Sequence, residues 1–267
     1  MLLTLNYDHN YRICKPQVSV LIVTFGNPHL QYFCAVNKCK ISLILLASFI
    51  AALNLNAQNH TALWSQYYQD LQLKNRLHLM SDASLRSVDI AHIPNIFQIR
   101  SGINYELIPK HLAIESGLWY SADHLHQQSE LRPHWQVTYN QPIGGSKLYF
   151  RWRNEHRFLT STKQNHYVLR SRLFAGFRFK LTEIGKSKKG LFAGSEQELL
   201  LNLAGDQEFQ DLDQYRIINY VGLRFSPSME FSLNYFMLYR KNPIKDFNNF
   251  QSIIWLKIRH TIGPKKV

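Results

Sequence analysis

The chain is poor in cysteine, and its three cysteines, Cys14, Cys34 and Cys39, all precede residue 40. Beyond them a disulfide scaffold, a thiol nucleophile and a thiolate-held metal are excluded. Carboxylates are also scarce, with 18 Asp+Glu against 31 Lys+Arg. No apolar run after residue 58 approaches the about 20 residues that a membrane-crossing helix needs. The motifs of the common hydrolases and nucleotide enzymes are absent: there is no P-loop, no GxSxG and no HExxH. Neither a cofactor nor a metal site is expected. His124-Leu125-His126 reads as a solvated loop rather than a metal site.

One stretch looks like an export signal. In KCKISLILLASFIAALNLNAQ, Lys38 and Lys40 form a basic start and Ile41 to Leu53 an apolar run. That run is of signal-peptide length and too short to span a bilayer. A polar exit ends at Ala57, so residues 38–57 are predicted to be a signal peptide and 58–267 the working domain. Residues 1–37 show no period and read as an extension upstream of the natural start, with Val36 the candidate first residue. Four cations and one carboxylate precede residue 58, leaving 27 against 17 beyond it. In a cytosolic protein that excess would suggest nucleic acid. An exported chain points instead to an anionic surface such as lipopolysaccharide, or to charge balanced internally.

The rest of the sequence alternates. In KLYFRWRNEHRF, Leu148, Phe150, Trp152, Asn154, His156 and Phe158 share one face. Lys147, Tyr149, Arg151, Arg153, Glu155 and Arg157 share the other. Period two makes this a strand with an aromatic face and a charged face. The next run repeats the pattern, with Leu169, Leu173 and Phe177 on one side and Arg170, Arg172 and Arg178 on the other. Further strands are predicted at 76–90, 95–108, 111–123, 131–143, 190–203, 213–226, 229–242 and 248–262. They run well past the usual strand of about 5 or 6 residues and suit tilted strands that cross a bilayer in about 9 to 11. Gly144-Gly145 is predicted to make a two-residue hairpin pairing Ile143 with Ser146, which sets Tyr139 opposite Phe150. Pro109-Lys110 is predicted to pair Leu107 with Leu112. Tight turns alternate with looser links, the pattern of a transmembrane β-barrel.

The expected fold class is therefore all-β, an antiparallel barrel of about 10–12 strands. Starting at Arg76 gives ten strands; 59–73 would lie inside the barrel or split into two short strands, giving twelve. A soluble sandwich with the aromatic face as its core is the alternative. In the barrel, the polar faces line the lumen: Arg100, Glu106, Glu115, Arg151, Arg153, Glu155, Arg157, Arg170, Arg172, Glu196, Glu198, Arg216, Arg224, Lys257 and Arg259, with Arg76, Asp82, Arg86, Arg132 and Arg240 beside them. Two readings of this lumen stand: a plug of salt bridges, since buried charges persist when paired, or a narrow anion-selective pore.

The succession RWRNEHRF, YVLRSRL, GSEQELLLNL and DQYRIINYVGLRFSPSMEFSLNYFM resembles an uncharacterised bacterial outer-membrane family, the domain-of-unknown-function family 2490. The resemblance runs over about residues 62–262. It implies a barrel in the outer membrane of a Gram-negative cell, and no activity. The implied partners are the lipid bilayer, lipopolysaccharide and the barrel-assembly machinery. One cluster carries a catalytic alternative: Asn154, His156 and Ser171 fall on the lipid face, and pairing Leu159 with His166 sets Asn154 opposite Ser171. Such a trio would suit a lipid hydrolase with His156 as base and Ser171 as nucleophile. Polar residues at headgroup level would look the same, and no enzyme is expected.

Overall fold

The computed structural model describes residues 61–87, 94–162, 164–182, 189–206, 212–241 and 248–263. The expected extension, the expected signal peptide and much of the looser links lie outside the described residues. Eleven strands follow in order: β1 (Thr61–Lys74), β2 (Leu77–Arg86), β3 (Ile96–Ile108), β4 (Leu112–Asp123), β5 (Gln128–Ile143), β6 (Ser146–Ser161), β7 (Asn165–Lys180), β8 (Gly190–Gly205), β9 (Leu212–Arg224), β10 (Met229–Lys241) and β11 (Asn248–Ile262). Each pairs antiparallel with its neighbour in sequence, and β1 closes the barrel against β11 in parallel.

The parallel seam follows from parity. Direction reverses at every hairpin, so with an odd number of strands the first and last run the same way. Segment 59–73, expected inside the barrel or split in two, instead joins one 14-residue strand from Thr61. It pairs with β11 from Thr61 with Ser252 through Leu71 with Ile262. The count is eleven, neither the ten nor the twelve expected. Thr61 enters where the looser links lie, and Ile262 ends beside the tight turns, where Thr261 donates its N–H to the Ser228 carbonyl at 2.7 Å.

The turns set the registers. Gly144 and Gly145 take φ of +51° and +86°, the left-handed pair that a two-residue hairpin needs. Ile143 then faces Ser146 and Tyr139 faces Phe150, as the spacing predicted. The turn spans three residues, 109–111, one fewer than a pairing of Leu107 with Leu112 would leave. Ile108, not Leu107, opposes Leu112 after a register shift, and Lys110 absorbs the bend at φ +67°.

Phe150, Trp152 and Phe158 are exposed on β6, while Arg153, Glu155 and Arg157 between them are buried. The same inversion runs round the wall, so the charged face is the interior of a closed barrel and the sandwich alternative falls. Opposite the arginine-rich strands, Ala62, Ile218, Phe236, Leu238 and Ile253 form a small apolar cluster against Trp64 and Trp255. It packs the inner side of the seam, with Trp64 edge-on to Phe236 at 5.0 Å. Gly176 sits beneath the Tyr149 ring, where a Cβ would approach a ring carbon to 2.6 Å; glycine there lets an aromatic ring lie flat on the inner wall.

Candidate functional site: the ion-paired lumen

The interior is crossed by one continuous chain of charge. Glu155, on β6, is fully buried. Its Oε2 accepts from Arg170 Nη2 at 2.5 Å and its Oε1 from Arg172 Nη1 at 2.7 Å, both from β7. Arg153 Nη1 stands 3.6 Å from Oε1. Arg172 continues to Glu198 on β8 at 2.7 Å. Glu198 also receives Arg151 at 2.8 Å and Arg216, from β9, at 3.0 Å. Toward the looser links, Arg170 reaches Asp213 at 2.7 Å, and Glu130 holds Arg132 and Arg157, each at 2.5 Å. Toward β2, Arg153 donates to Gln136 at 2.7 Å and Gln136 to Glu115 at 2.8 Å. Arg100 lies 3.8 Å from Glu115 and 2.5 Å from Asp82.

Alternation explains why these groups meet. Each strand sends every second side chain inward, and at several registers the facing inward positions carry opposite charge, although Arg153 faces Arg172. Glu155 opposes Arg170, and Glu198 opposes Arg216, in the strand registers. Charge-assisted, often forked contacts offset the desolvation of each ion.

The remaining lumen residues sit nearer the tight turns. Glu230 binds Arg178 at 2.9 Å and Arg224 at 2.8 Å. Arg259 reaches Asp70 at 3.6 Å. Lys257 lies between the rings of Tyr68 and Trp255, at 5.9 and 5.1 Å. Glu196 accepts a hydrogen bond from the Tyr149 hydroxyl rather than from an arginine. Glu106 lines the central cavity, with Lys110 N–H 3.4 Å from its carboxylate. Arg76 departs from the expected set: it is exposed in the turn between β1 and β2, because β2 starts at Leu77, one residue after the expected start.

The space left over is divided. A central cavity of about 620 Å³ is lined by Tyr68, Asp82, Arg100, Glu115 and Arg151 among others. A second of about 390 Å³ lies toward the looser links. A third of about 350 Å³ opens among the tight turns.

On the outer wall, Leu159 opposes His166 and Asn154 opposes Ser171, as the spacing predicted. The three side chains do not form a relay. Ser171 Oγ accepts from the Trp152 indole at 2.9 Å, and His156 Nδ1 shares a hydrogen bond with the Tyr167 hydroxyl at 2.8 Å. In the loop between β4 and β5, His126 Nδ1 meets Asp123 at 2.8 Å.

Several lumen residues escaped the sequence reading. Glu130 fell in a segment read as a loop, though it lies two residues before Arg132 on the same face. Asp213 is the second residue of β9 and lies at a register shift, between Leu212 opposite Leu201 and Gln214 opposite Leu200, so simple alternation does not place it. Trp64, Tyr68, Trp119 and Trp255 line the cavities although aromatic side chains are expected to face outward; Tyr149 lines them on the charged face of β6, where the alternation puts it. Parity with Asp70 and Lys257 was the signal available for Trp64, Tyr68 and Trp255.

Fold and interior together define a closed β-barrel with a charged, ion-paired core and an apolar coat. The model of the proteins of unknown function DUF2490 matches residues 61–249, and the chain belongs to that family. No curated protein matches it.

Proposed function

We propose that the protein is an outer-membrane β-barrel whose lumen is closed by its own ion pairs, structural rather than conducting and without catalysis. The carrying observation is the inverted distribution of side chains. Trp135, Tyr139, Phe150, Trp152 and Leu173 are each more than two-fifths exposed, whereas Arg153, Glu155, Arg170 and Glu198 are at most 2% exposed. Water does not sustain an apolar surface of that extent on a monomer; a bilayer does, and closure leaves no unpaired strand edge to meet it. Lipid and lipopolysaccharide are the surroundings this coat fits, and the barrel-assembly machinery is the partner that would insert it. Membranes washed with alkaline carbonate should retain the protein, and unheated samples should migrate differently from boiled ones. Recovery in the soluble periplasmic fraction would end this reading.

A narrow anion pore is the second reading, favoured by the three cavities and by the excess of arginine. It differs from the first in conductance across a planar bilayer.

A further inference from the structure

Among the central arginines, Arg86 stands apart. Arg132, Arg157, Arg170, Arg172 and Arg216 each touch a carboxylate. No described carboxylate lies within ion-pairing distance of Arg86. Its guanidinium stacks over Trp64, 3.8 Å from the ring centroid, and faces Trp119 at 5.9 Å. Its Nε is buried with no hydrogen-bond acceptor, and the same holds for Arg132 Nε and Trp119 Nε1. All three residues line the cavity of about 390 Å³ toward the looser links.

These groups can only donate: neither a guanidinium nor an indole N–H has a lone pair to offer. What complements them must be an acceptor, and a charged one. The cavity's own carboxylates are engaged, Glu130 by Arg132 and Arg157 and Asp123 by His126 and Asn95. Arg240 adds a further cation to the lining. Water could take the hydrogen bonds but would leave the like charges of Arg86, Arg132, Arg172 and Arg216 uncompensated. Trp64, Arg86, Trp119, Arg172 and Arg216 also line the central cavity, so the unpaired arginine sits at the partition between the two spaces.

We infer that this cavity is a binding site for a small soluble oxyanion, a phosphate or sulfate group, held by Arg86, Arg132 and the Trp119 indole. The volume is that of a small-molecule site, at the lower end of the about 300–1,000 Å³ such pockets span. The cavity lies inside the wall, away from the lipid-facing side chains, which favours a soluble group over a lipid headgroup. The inference does not depend on whether the barrel conducts, because a bound anion can as well block the partition as cross it.

The test is titration calorimetry of the refolded full-length chain in maltoside micelles with inorganic pyrophosphate, at fixed ionic strength with chloride as background. One site is expected. Arg86→Gln should weaken binding about tenfold, the loss of one charge-assisted contact. Arg240→Gln, exposed on the same lining, should weaken it severalfold and serves where the first variant fails to fold. Lys189→Gln, on the cavity among the tight turns, should leave it unchanged. Absence of binding at millimolar pyrophosphate, or equal weakening by all three changes, would overturn the site. Competition by added phosphatidylglycerol would overturn the soluble ligand and assign the donors to a lipid phosphate. Failure of the membrane reading would show separately, in the carbonate wash.

Discussion

At the scale of single residues, the lumen makes unequal demands on side chains that look alike in the sequence. Glu155 and Glu196 are both inward carboxylates, but Glu155 holds two arginines within 2.7 Å and Glu196 accepts from a neutral tyrosine. Removing Glu155 leaves buried guanidinium groups short of a counter-charge. Glu155→Ala should therefore cost about 3–5 kcal/mol. Glu196→Gln should cost about 1 kcal/mol, the worth of an ordinary hydrogen bond. Urea unfolding of the protein in lipid vesicles, followed by tryptophan fluorescence, measures both; equal losses would contradict the assignment of the network's centre. On the outer wall, Ser171→Ala removes only the acceptor for Trp152, so it should lower stability by about 1 kcal/mol. It should also change nothing in a thin-layer assay of lipid breakdown. Fatty acid released by the unaltered protein and not by the variant would establish the catalytic reading instead.

At the scale of strands, the seam is the element that sequence patterning described least well. The strands from β2 to β11 follow the period-two runs within a few residues, because each alternates sharply and a tight turn or a looser polar link bounds it. β1 alternates too, but Trp64 and Tyr68 point inward with Gln66 and Asp70, so its faces do not separate into aromatic and charged. Its partner is almost two hundred residues away, and no local turn announces it. The parallel register makes a direct test. Ser65 opposes Leu256, and neighbouring strands lie about 4.8 Å apart, within reach of a disulfide. The pair Ser65→Cys with Leu256→Cys should cross-link under mild oxidation and shift the boiled band on a gel. Ser65→Cys with Ile253→Cys, three residues out of register, should not. The reverse pattern would mean that the barrel closes in another way.

At the scale of the whole molecule, the question is whether three cavities join into a path. Arg172 bridges Glu155 and Glu198 and lines the partition between the central cavity and the one toward the looser links. With it in place, conductance across a planar bilayer should be near zero. Arg172→Ala should raise it, by removing both a bridge and the bulk that fills the partition. Large, steady, anion-selective currents from the unaltered protein would favour the pore.

The sequence alone determined the fold class, the approximate limits of every strand but β1, and most of the charges that face inward, with Arg76, Glu130 and Asp213 as the exceptions. Alternation and turn chemistry are local, so they can be read along the chain. It also placed Asn154 opposite Ser171, because a short loop sets that register. Strand number and closure were decided by the tertiary structure, since an odd count becomes legible only when β1 meets β11. The same holds for charge: the sequence supplied an excess of arginine, but only the assembled barrel shows which arginines find carboxylates across the lumen. Arg86 differs from its neighbours in nothing but its partners, and partners from separate strands are a property of the closed barrel.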